Sequence, residues 1–141
     1  MPRPDHTPIG LSLSRTARSV SRAFDDALAE AGGSVPVWLV LISLKSQQVR
    51  NQRELAEAVG IREATLTHHL NAMDEHGLIT RRRDPANRRV HLVEMTEAGE
   101  AAFQGMRGAA TAFDQRLRAG LSGDEVSQLE KLLGRLAANV A

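Results

Sequence analysis

Cysteine is absent from this sequence of 141 residues, and aromatic side chains are scarce. The lack of cysteine excludes disulfide bonds, thiol redox sensing and cysteine-ligated zinc sites. Because only 3% of the residues are aromatic, the core has to be built from leucine, valine, alanine and isoleucine. The chain has about the length of one domain, and a small core of this kind favours association with a partner subunit.

Targeting signals, long apolar runs and catalytic motifs are also lacking. The first six residues contain no apolar segment of a secretory signal, and no apolar run approaches the roughly 18 residues that a membrane helix needs. We therefore expect a soluble, cytoplasmic protein with no membrane partner. The sequence contains no Gly-x-Ser-x-Gly motif, no glycine-rich phosphate loop and no plausible carboxylate pair, so we expect neither enzymatic activity nor a cofactor.

Charge is nearly balanced over the whole chain, at +1, but it is unevenly distributed. Five of the nine residues from Arg81 to Arg89 are arginine, the side chain best suited to bidentate contacts with phosphates and base edges. Charge alone is equally compatible with a solvated turn. The choice between DNA binding and an ordinary solvated turn therefore depends on the elements that flank this segment.

The spacing of apolar residues predicts a mainly helical chain with one small β-hairpin. We expect a flexible arm at residues 1–8 and a single domain at 9–141. The predicted helices cover residues 13–31, 34–44, 51–59, 62–77, 96–117 and 122–140, with N-caps at Ser34, Asn51, Thr96 and Ser122. At residues 78–83 and 90–95 the apolar residues no longer follow the helical period, which predicts two short β-strands. The strands are joined by the turn-forming residues Asp84-Pro-Ala-Asn87.

Residues 52–73 have the form of a helix-turn-helix motif. Ala56 is small where two helices must approach closely, and Gly60 permits the turn between them. The outer face of the second helix is polar and could bind base edges or phosphates through Arg62, Thr65, Thr67, His68 and Asn71. Ordinary solvation of these residues is the alternative.

The hairpin that follows favours DNA binding over that alternative. Its tip carries Arg88 and Arg89, and an exposed hairpin directly after a helix-turn-helix is typical of a wing that inserts arginine into the minor groove. We expect Arg81, Arg83 and Arg88 to contact phosphates, which would make the affinity fall steeply with salt. The predicted winged helix spans residues 34–96.

Four segments of the sequence resemble the MarR family of bacterial transcriptional regulators: Glu54–Ile61, Leu66–Ile79, Asp84–Arg89 and Met95–Gly99. The resemblance extends from about Leu11 to the C-terminus. It implies a homodimer joined by helices from both ends of each chain, here the dimerisation regions 9–32 and 97–140. It also implies a repressor that binds a palindromic site, with half-sites roughly 10 base pairs apart.

The resemblance also implies roles for single residues. Thr65, Thr67 and His68 match the face that enters the major groove, and Arg89 matches the wing arginine that enters the minor groove. His68 stands where arginine is frequent, so its protonation could make DNA binding depend on pH. Asn87 stands where the family has aspartate, so the carboxylate that commonly steadies the wing loop is missing. His69 replaces an apolar residue, and we expect it to be half-buried and to serve packing.

Many members of this family release DNA when a small, often phenolic, molecule binds between the dimerisation helices and the winged helix. By resemblance, such an effector would contact Arg15, Arg18, Phe24 and Trp38. The alternative is that Trp38, on an apolar helix, belongs to the core. The five histidines suggest no metal site, because neighbouring His68 and His69 diverge by about 100° on a helix and no two histidines of one helix are four residues apart.

Two other functions are compatible with a winged helix. One is a protein-interaction module without specific DNA binding, which the arginine-rich wing disfavours. The other is a binder of single-stranded nucleic acid, which would need aromatic stacking platforms that the predicted binding surface lacks.

Overall fold

The computed structural model describes residues 7–46 and 51–141. Within them lie six helices and one hairpin, in the order α1 (Ile9–Glu30), α2 (Val35–Ser46), α3 (Gln52–Val59), α4 (Glu63–Glu75), β1 (Ile79–Arg83), β2 (His91–Met95), α5 (Glu97–Leu117) and α6 (Gly123–Val140). The prediction of a mainly helical chain with a small hairpin is confirmed. Residues 1–6 of the predicted arm at residues 1–8 lie outside the described residues.

The chain divides into two compact units whose boundary lies within α5. The larger unit extends to Ala110, and the smaller unit is Thr111–Ala141. All the buried hydrophobic side chains of the described core belong to the larger unit, where leucines of α1 to α4 meet Val93 of β2 and Phe103 of α5. The single domain expected at 9–141 stays a prediction.

Helix α2 lies at the centre of the larger unit. Trp38, Val40, Leu41 and Ser43 are buried, and the helix contacts α1, α3, α4 and β2. This position confirms the prediction made from a helix that is apolar nearly all round. No single helix of the described residues is long and apolar enough to cross a membrane. Only taken together are α1 and α2 long and apolar enough, and the chain bends by 76° between them.

All four predicted N-cap side chains accept a backbone N–H, and the Ser34 hydroxyl oxygen does so from the N–H of Val37 at 3.4 Å. The Asn51 amide oxygen accepts from the N–H of Glu54 at 2.8 Å, and the Thr96 hydroxyl oxygen accepts from the N–H of Gly99 at 3.0 Å. At the start of α6, Ser122 and Glu125 form a reciprocal capping box. Helix α1 begins at Ile9, the first residue of the predicted dimerisation region, with Pro8 at its N-cap; the apolar stripe that predicts this helix begins four residues later, at Leu13.

Each unit exposes apolar side chains. In the smaller unit, α6 buries none of its residues, and Leu129, Leu132 and Leu133 are 40–47% exposed. In the larger unit, Ile9 and Leu11 at the start of α1 are 68% and 41% exposed. Contiguous apolar surface of this kind marks interaction sites in soluble proteins.

Candidate nucleic-acid interface

The turn between α3 and α4 determines the direction of the second helix. Gly60 has a φ of 78°, in the left-handed region that glycine adopts most readily. The N–H groups of Gly60 and Ile61 both donate to the carbonyl of Ala56, at 2.9 and 3.1 Å, and Ala56 itself is buried. Helix α4 begins at Glu63, with Arg62 at its N-cap, one residue later than predicted. The helix-turn-helix is therefore confirmed.

Helix α4 presents one buried and one exposed face. Leu66, Leu70 and Met73 belong to the core. Four of the five predicted DNA-binding residues of this helix region are exposed, namely Arg62, Thr65, His68 and Asn71. His69 is half-buried, as predicted, and its ring centroid lies 5.8 Å from that of His68 in an edge-on arrangement.

Thr67, the fifth predicted residue, is in a different environment. It is half-buried, and its hydroxyl donates to the carbonyl of Glu63 at 2.9 Å. The same hydroxyl oxygen accepts a hydrogen bond from Nε2 of Gln52, at the start of α3. Its role in the major groove stays a prediction, but the proton that it could donate to a base is already used within the protein.

The wing is an antiparallel pair in which Ile79 lies opposite Met95 and Arg83 lies opposite His91. Its turn is closed by Asp84, whose carboxylate accepts from the N–H of Ala86 at 2.9 Å and whose carbonyl accepts from the N–H of Asn87 at 3.2 Å. These bonds confirm the predicted hairpin and its turn. Both donors are backbone N–H groups, so the two bonds fix the path of the main chain through the turn.

Asn87 steadies the wing loop with its amide group. The side-chain oxygen accepts from the N–H of Arg89 at 3.2 Å, and the Asn87 carbonyl accepts from the N–H of Val90 at 2.9 Å. The carboxylate that the family resemblance leads one to expect is missing, but an amide oxygen is an adequate acceptor for the same N–H. The backbone at Arg89 is thus held by its neighbour two residues before it.

The arginines of the wing have unequal surroundings. Arg81 is paired with Asp74 at 3.2 Å and its side chain is only 25% exposed, while Arg82 pairs with Glu94 at 3.0 Å. Arg83 donates from Nη1 to the carbonyl of Arg88 at 3.1 Å. These pairings make Arg81 the least available of the predicted phosphate contacts, because its charge is already partly compensated.

Three exposed arginines of the candidate interface have no guanidinium partner among the described residues. Within 7–46 and 51–141, no hydrogen bond or ion pair engages the guanidinium of Arg62, Arg88 or Arg89. Unpaired, exposed arginines retain their full charge for an anionic partner. They lie at the start of the recognition helix and at the tip of the wing.

A cleft of about 570 Å³ connects the recognition helix with the wing. Thr67 of α4 and Arg89 of the wing both line this cleft, together with Gln52 and Arg53 of α3. A backbone bridge between Asn51 and Leu92 ties the start of α3 to strand β2 at the same place. The start of α3, the recognition helix and the wing thus surround one concave surface.

The end of the recognition helix is joined to the start of α5 through Thr96. The Thr96 hydroxyl donates to the carbonyl of Gly77, and the Thr96 N–H donates to the carbonyl of Leu78 at 3.1 Å. Gly77 has a φ of 73°, which lets the chain turn sharply out of α4. These two hydrogen bonds tie the residue that caps α5 to the segment directly after the recognition helix.

The residues predicted to line an effector pocket have dissimilar environments. Trp38 is only 9% exposed, and its ring stacks on that of Phe103 with centroids 5.5 Å apart, while Phe24 is half-buried against the core. Arg15 and Arg18 are exposed on α1, where Arg18 donates to the hydroxyl of Ser14 at 3.2 Å. The core interpretation of Trp38 therefore fits its environment better than an accessible pocket wall.

Two residues of the interface escaped prediction. The sequence pattern assigns no role to Gln52 within the helix-turn-helix segment, and none to Asp74, which pairs with Arg81. The helical spacing of α4 could have placed Asp74 near β1, but no local pattern indicates the contact between Gln52 and Thr67, which are 15 residues apart. In the described part of the chain, no three histidine or acidic side chains form a group that could hold a metal ion.

An exposed polar helix after a tight turn, followed by an arginine-tipped hairpin, defines a winged helix-turn-helix protein. The model of the MarR family matches residues 34–91. A MarR-family transcriptional regulator from Rhodococcus sp. RHA1 is 29% identical in sequence, over 92% of this chain and 91% of that chain, with a TM-score of 0.77. The chain is therefore similar to MarR-family transcriptional regulators, both in the segment that the family model matches and in its fold.

Two further solved structures show similar proteins in complexes. The transcriptional repressor CouR bound to a 23-mer DNA duplex is 29% identical, over 92% of each chain, with a TM-score of 0.82. CouR from Rhodococcus jostii RHA1 bound to p-coumaroyl-CoA is 28% identical, over 92% of this chain and 91% of that chain, with a TM-score of 0.74. The first is a complex with DNA and the second a complex with a small molecule.

Proposed function

We propose that the protein is a homodimeric transcriptional repressor that binds a palindromic site in duplex DNA. The observation that carries this proposal is the cleft that Thr67 of the recognition helix and Arg89 of the wing line together. A duplex seated there would receive α4 in its major groove and the wing tip in the adjacent minor groove. Arg62, Arg88 and Arg89 supply charge that no described residue neutralises.

A second copy of the chain would cover the exposed apolar side chains at both ends of the sequence. Leu129, Leu132 and Leu133 of α6 are 40–47% exposed, and Ile9 and Leu11 in the first turn of α1 are 68% and 41% exposed, which is unfavourable in a lone subunit. A twofold dimer presents two recognition helices about 34–36 Å apart, which suits half-sites separated by about 10 base pairs. Dimerisation is thus what makes a palindromic operator the natural target.

Repression and its relief by a small aromatic molecule are proposed from the similar proteins. CouR is a repressor, and one of its structures contains p-coumaroyl-CoA. On this chain the exposed Arg15 and Arg18 could attract an anionic group of such an effector, whereas Trp38 would become accessible only if it moved off Phe103. Because Trp38 is the sole tryptophan, its fluorescence reports directly on that movement.

The remaining functional assignments follow from the DNA target. A repressor needs no chemistry on its substrate, so we propose no enzymatic activity, and it works in the cytoplasm where bacterial DNA lies. The three unpaired arginines disfavour the alternative of a protein-interaction module without specific DNA binding, because such a module has no need for compact positive charge beside a recognition helix.

Equilibrium binding to duplexes selected from a random pool tests the proposal. We expect the wild type to prefer its selected duplex to an unrelated one by about 10³-fold or more, and Arg89→Ala to weaken binding by at least about tenfold. Arg107→Ala, which removes the same charge from an exposed position on α5, is the control and should bind as the wild type does. Equal affinities for Arg89→Ala and the wild type would refute the role of the wing.

A further inference from the structure

Gln52 lies at the first position of α3, and its side chain reaches across to the recognition helix. The residue is half-buried, and its Nε2 donates to the hydroxyl oxygen of Thr67. Thr67 is therefore the only residue of the predicted major-groove set whose side chain is held by the neighbouring helix among the residues that the structure describes.

The start of α3 is anchored well enough for Gln52 to hold another side chain in place. Asn51 accepts from the N–H of Glu54 at 2.8 Å, and its amide nitrogen donates to the Glu54 carboxylate. The backbone of Asn51 also bridges to Leu92 of the wing. Gln52 follows directly after this anchored residue, so its amide approaches Thr67 from a defined direction.

The hydrogen-bonding capacity of Thr67 decides what it can offer to a base. A threonine hydroxyl has one proton and two acceptor positions. The proton goes to the Glu63 carbonyl at 2.9 Å, and one acceptor position is filled by Gln52. What remains for a ligand is the methyl group and a single acceptor position. A hydroxyl held in this way cannot rotate to donate to whichever acceptor a base edge presents.

We propose that Gln52 is a positioning residue that determines specificity: it locks the hydroxyl of Thr67 so that Thr67 presents its methyl group to the major groove and selects thymine. The inference rests on the proposed DNA binding. Thymine is the base that displays a methyl group in the major groove, and apolar contact with the threonine methyl is one of the ways in which proteins distinguish it.

Four variants test the inference by binding to duplexes that differ at one base pair at a time. Thr67→Ser keeps the hydroxyl and removes the methyl group, so the base pair at which it loses preference marks the contact of Thr67. Thr67→Val keeps a methyl group and removes the hydroxyl. Gln52→Met keeps the length of the side chain and removes the amide, with Gln52→Ala as a second form. Gln104→Met, at an exposed position of α5, is the matched control because Gln104 also donates to a neighbouring side chain, that of Glu100.

We expect Gln52→Met to lower the preference for thymine at the marked base pair by about fourfold, the factor associated with one buried methyl group, and to leave the other positions unchanged. In the Thr67→Val background the Gln52 substitution should have no further effect, because no hydroxyl remains to be locked. Gln104→Met should select as the wild type does. Thermal unfolding verifies that each variant compared is folded.

Four results would overturn the inference alone, provided that the wild type selects a sequence. Three of them are an unchanged preference in both Gln52 variants, an equal loss of affinity for all duplexes, and a loss of preference as large in the Thr67→Val background as in the wild type. A Thr67→Ser variant that alters no position would overturn it as well. A wild type that selects no sequence would contradict the proposed function and the inference together.

Discussion

At the scale of single residues, Gly99 shows how closely α5 approaches the end of the recognition helix. A Cβ atom at this position would lie 2.0 Å from the carbonyl oxygen of Leu78 and 2.8 Å from Cγ of Met95. The backbone of Leu78 cannot retreat easily, because its carbonyl also accepts the N–H of Thr96 at 3.1 Å. Only glycine permits this approach without a displacement of either segment.

We predict that Gly99→Ala lowers the free energy of unfolding by about 1–3 kcal/mol, the usual cost of overpacking. Gly105→Ala is the matched control on the same helix, because a Cβ there meets nothing within 4 Å. The control should raise the free energy of unfolding by roughly 0.5–1 kcal/mol through the helix propensity of alanine. Urea titration measures both, and equal stability of the two variants would disprove the tight contact at Gly99.

The exposure of single residues at the interface was easier to predict from the sequence than the contacts between their side chains. The exposed face of α4 followed from helical spacing, and the half-burial of His69 followed from its place on that helix. The ion pair of Arg81 with Asp74 and the hydrogen bond of Gln52 with Thr67 did not follow. Both depend on the distance between side chains of different elements, which no periodicity along the chain reports.

At the scale of elements, the caps are where local sequence determined structure most directly. The N-cap residue and its partner are three residues apart at Asn51, Thr96 and Ser122, so the pattern is complete within one turn of helix. The start of α1 shows no such pattern, because Pro8 caps it without a side-chain hydrogen bond. Such a cap has no side-chain signature in the sequence.

The capping box of α6 makes its stability depend on pH. The N–H of Ser122 donates to the Glu125 carboxylate at 2.9 Å, and this bond, with a further contribution from the Ser122 side chain, holds the pKa of Glu125 below its ordinary value of 4.5. A lowered pKa stabilises the folded state above the ordinary value, and that stabilisation is lost as the pH falls through the folded value.

We therefore predict that the difference in melting temperature between the wild type and Glu125→Gln is largest near neutral pH and shrinks as the pH falls below about 4.5. The substitution keeps the side-chain length but removes the charge that titrates. Glu130→Gln, on the same exposed helix, is the control for the loss of one carboxylate. Thermal scans by circular dichroism measure the difference, and a gap that stays constant with pH would contradict the role of the Glu125 carboxylate.

At the scale of the whole molecule, the apolar surface of α6 predicts a partner subunit. Leu129, Leu132 and Leu133 are 47%, 44% and 40% exposed although the helix is well capped and regular. Such leucines stabilise a protein only when another surface covers them. The resemblance to the family predicted this dimer, and the exposure of these side chains gives it a physical reason.

Leu132→Glu should dissociate the dimer, because a carboxylate buried in an apolar interface has no partner. Sedimentation equilibrium should then give the 15.3 kDa mass of one chain instead of twice that value. Affinity for a palindromic duplex should fall by about a hundredfold or more, since the two half-sites are no longer bound together. Gln128→Glu places the same side chain at a polar position of α6 and should remain dimeric. A dimeric Leu132→Glu variant would show that the interface lies elsewhere.

The most direct test of the proposed DNA binding is the salt dependence of affinity for the selected duplex. Each phosphate that the protein contacts contributes a slope of about −0.9 to the plot of log affinity against log salt concentration. Since the dimer has two wings, Arg88→Ala should flatten this slope by about 1.8, whereas Arg107→Ala should leave it unchanged. A wild-type affinity that is insensitive to salt, or equal slopes for the wild type and Arg88→Ala, would contradict the proposed contact of the wing with the DNA backbone.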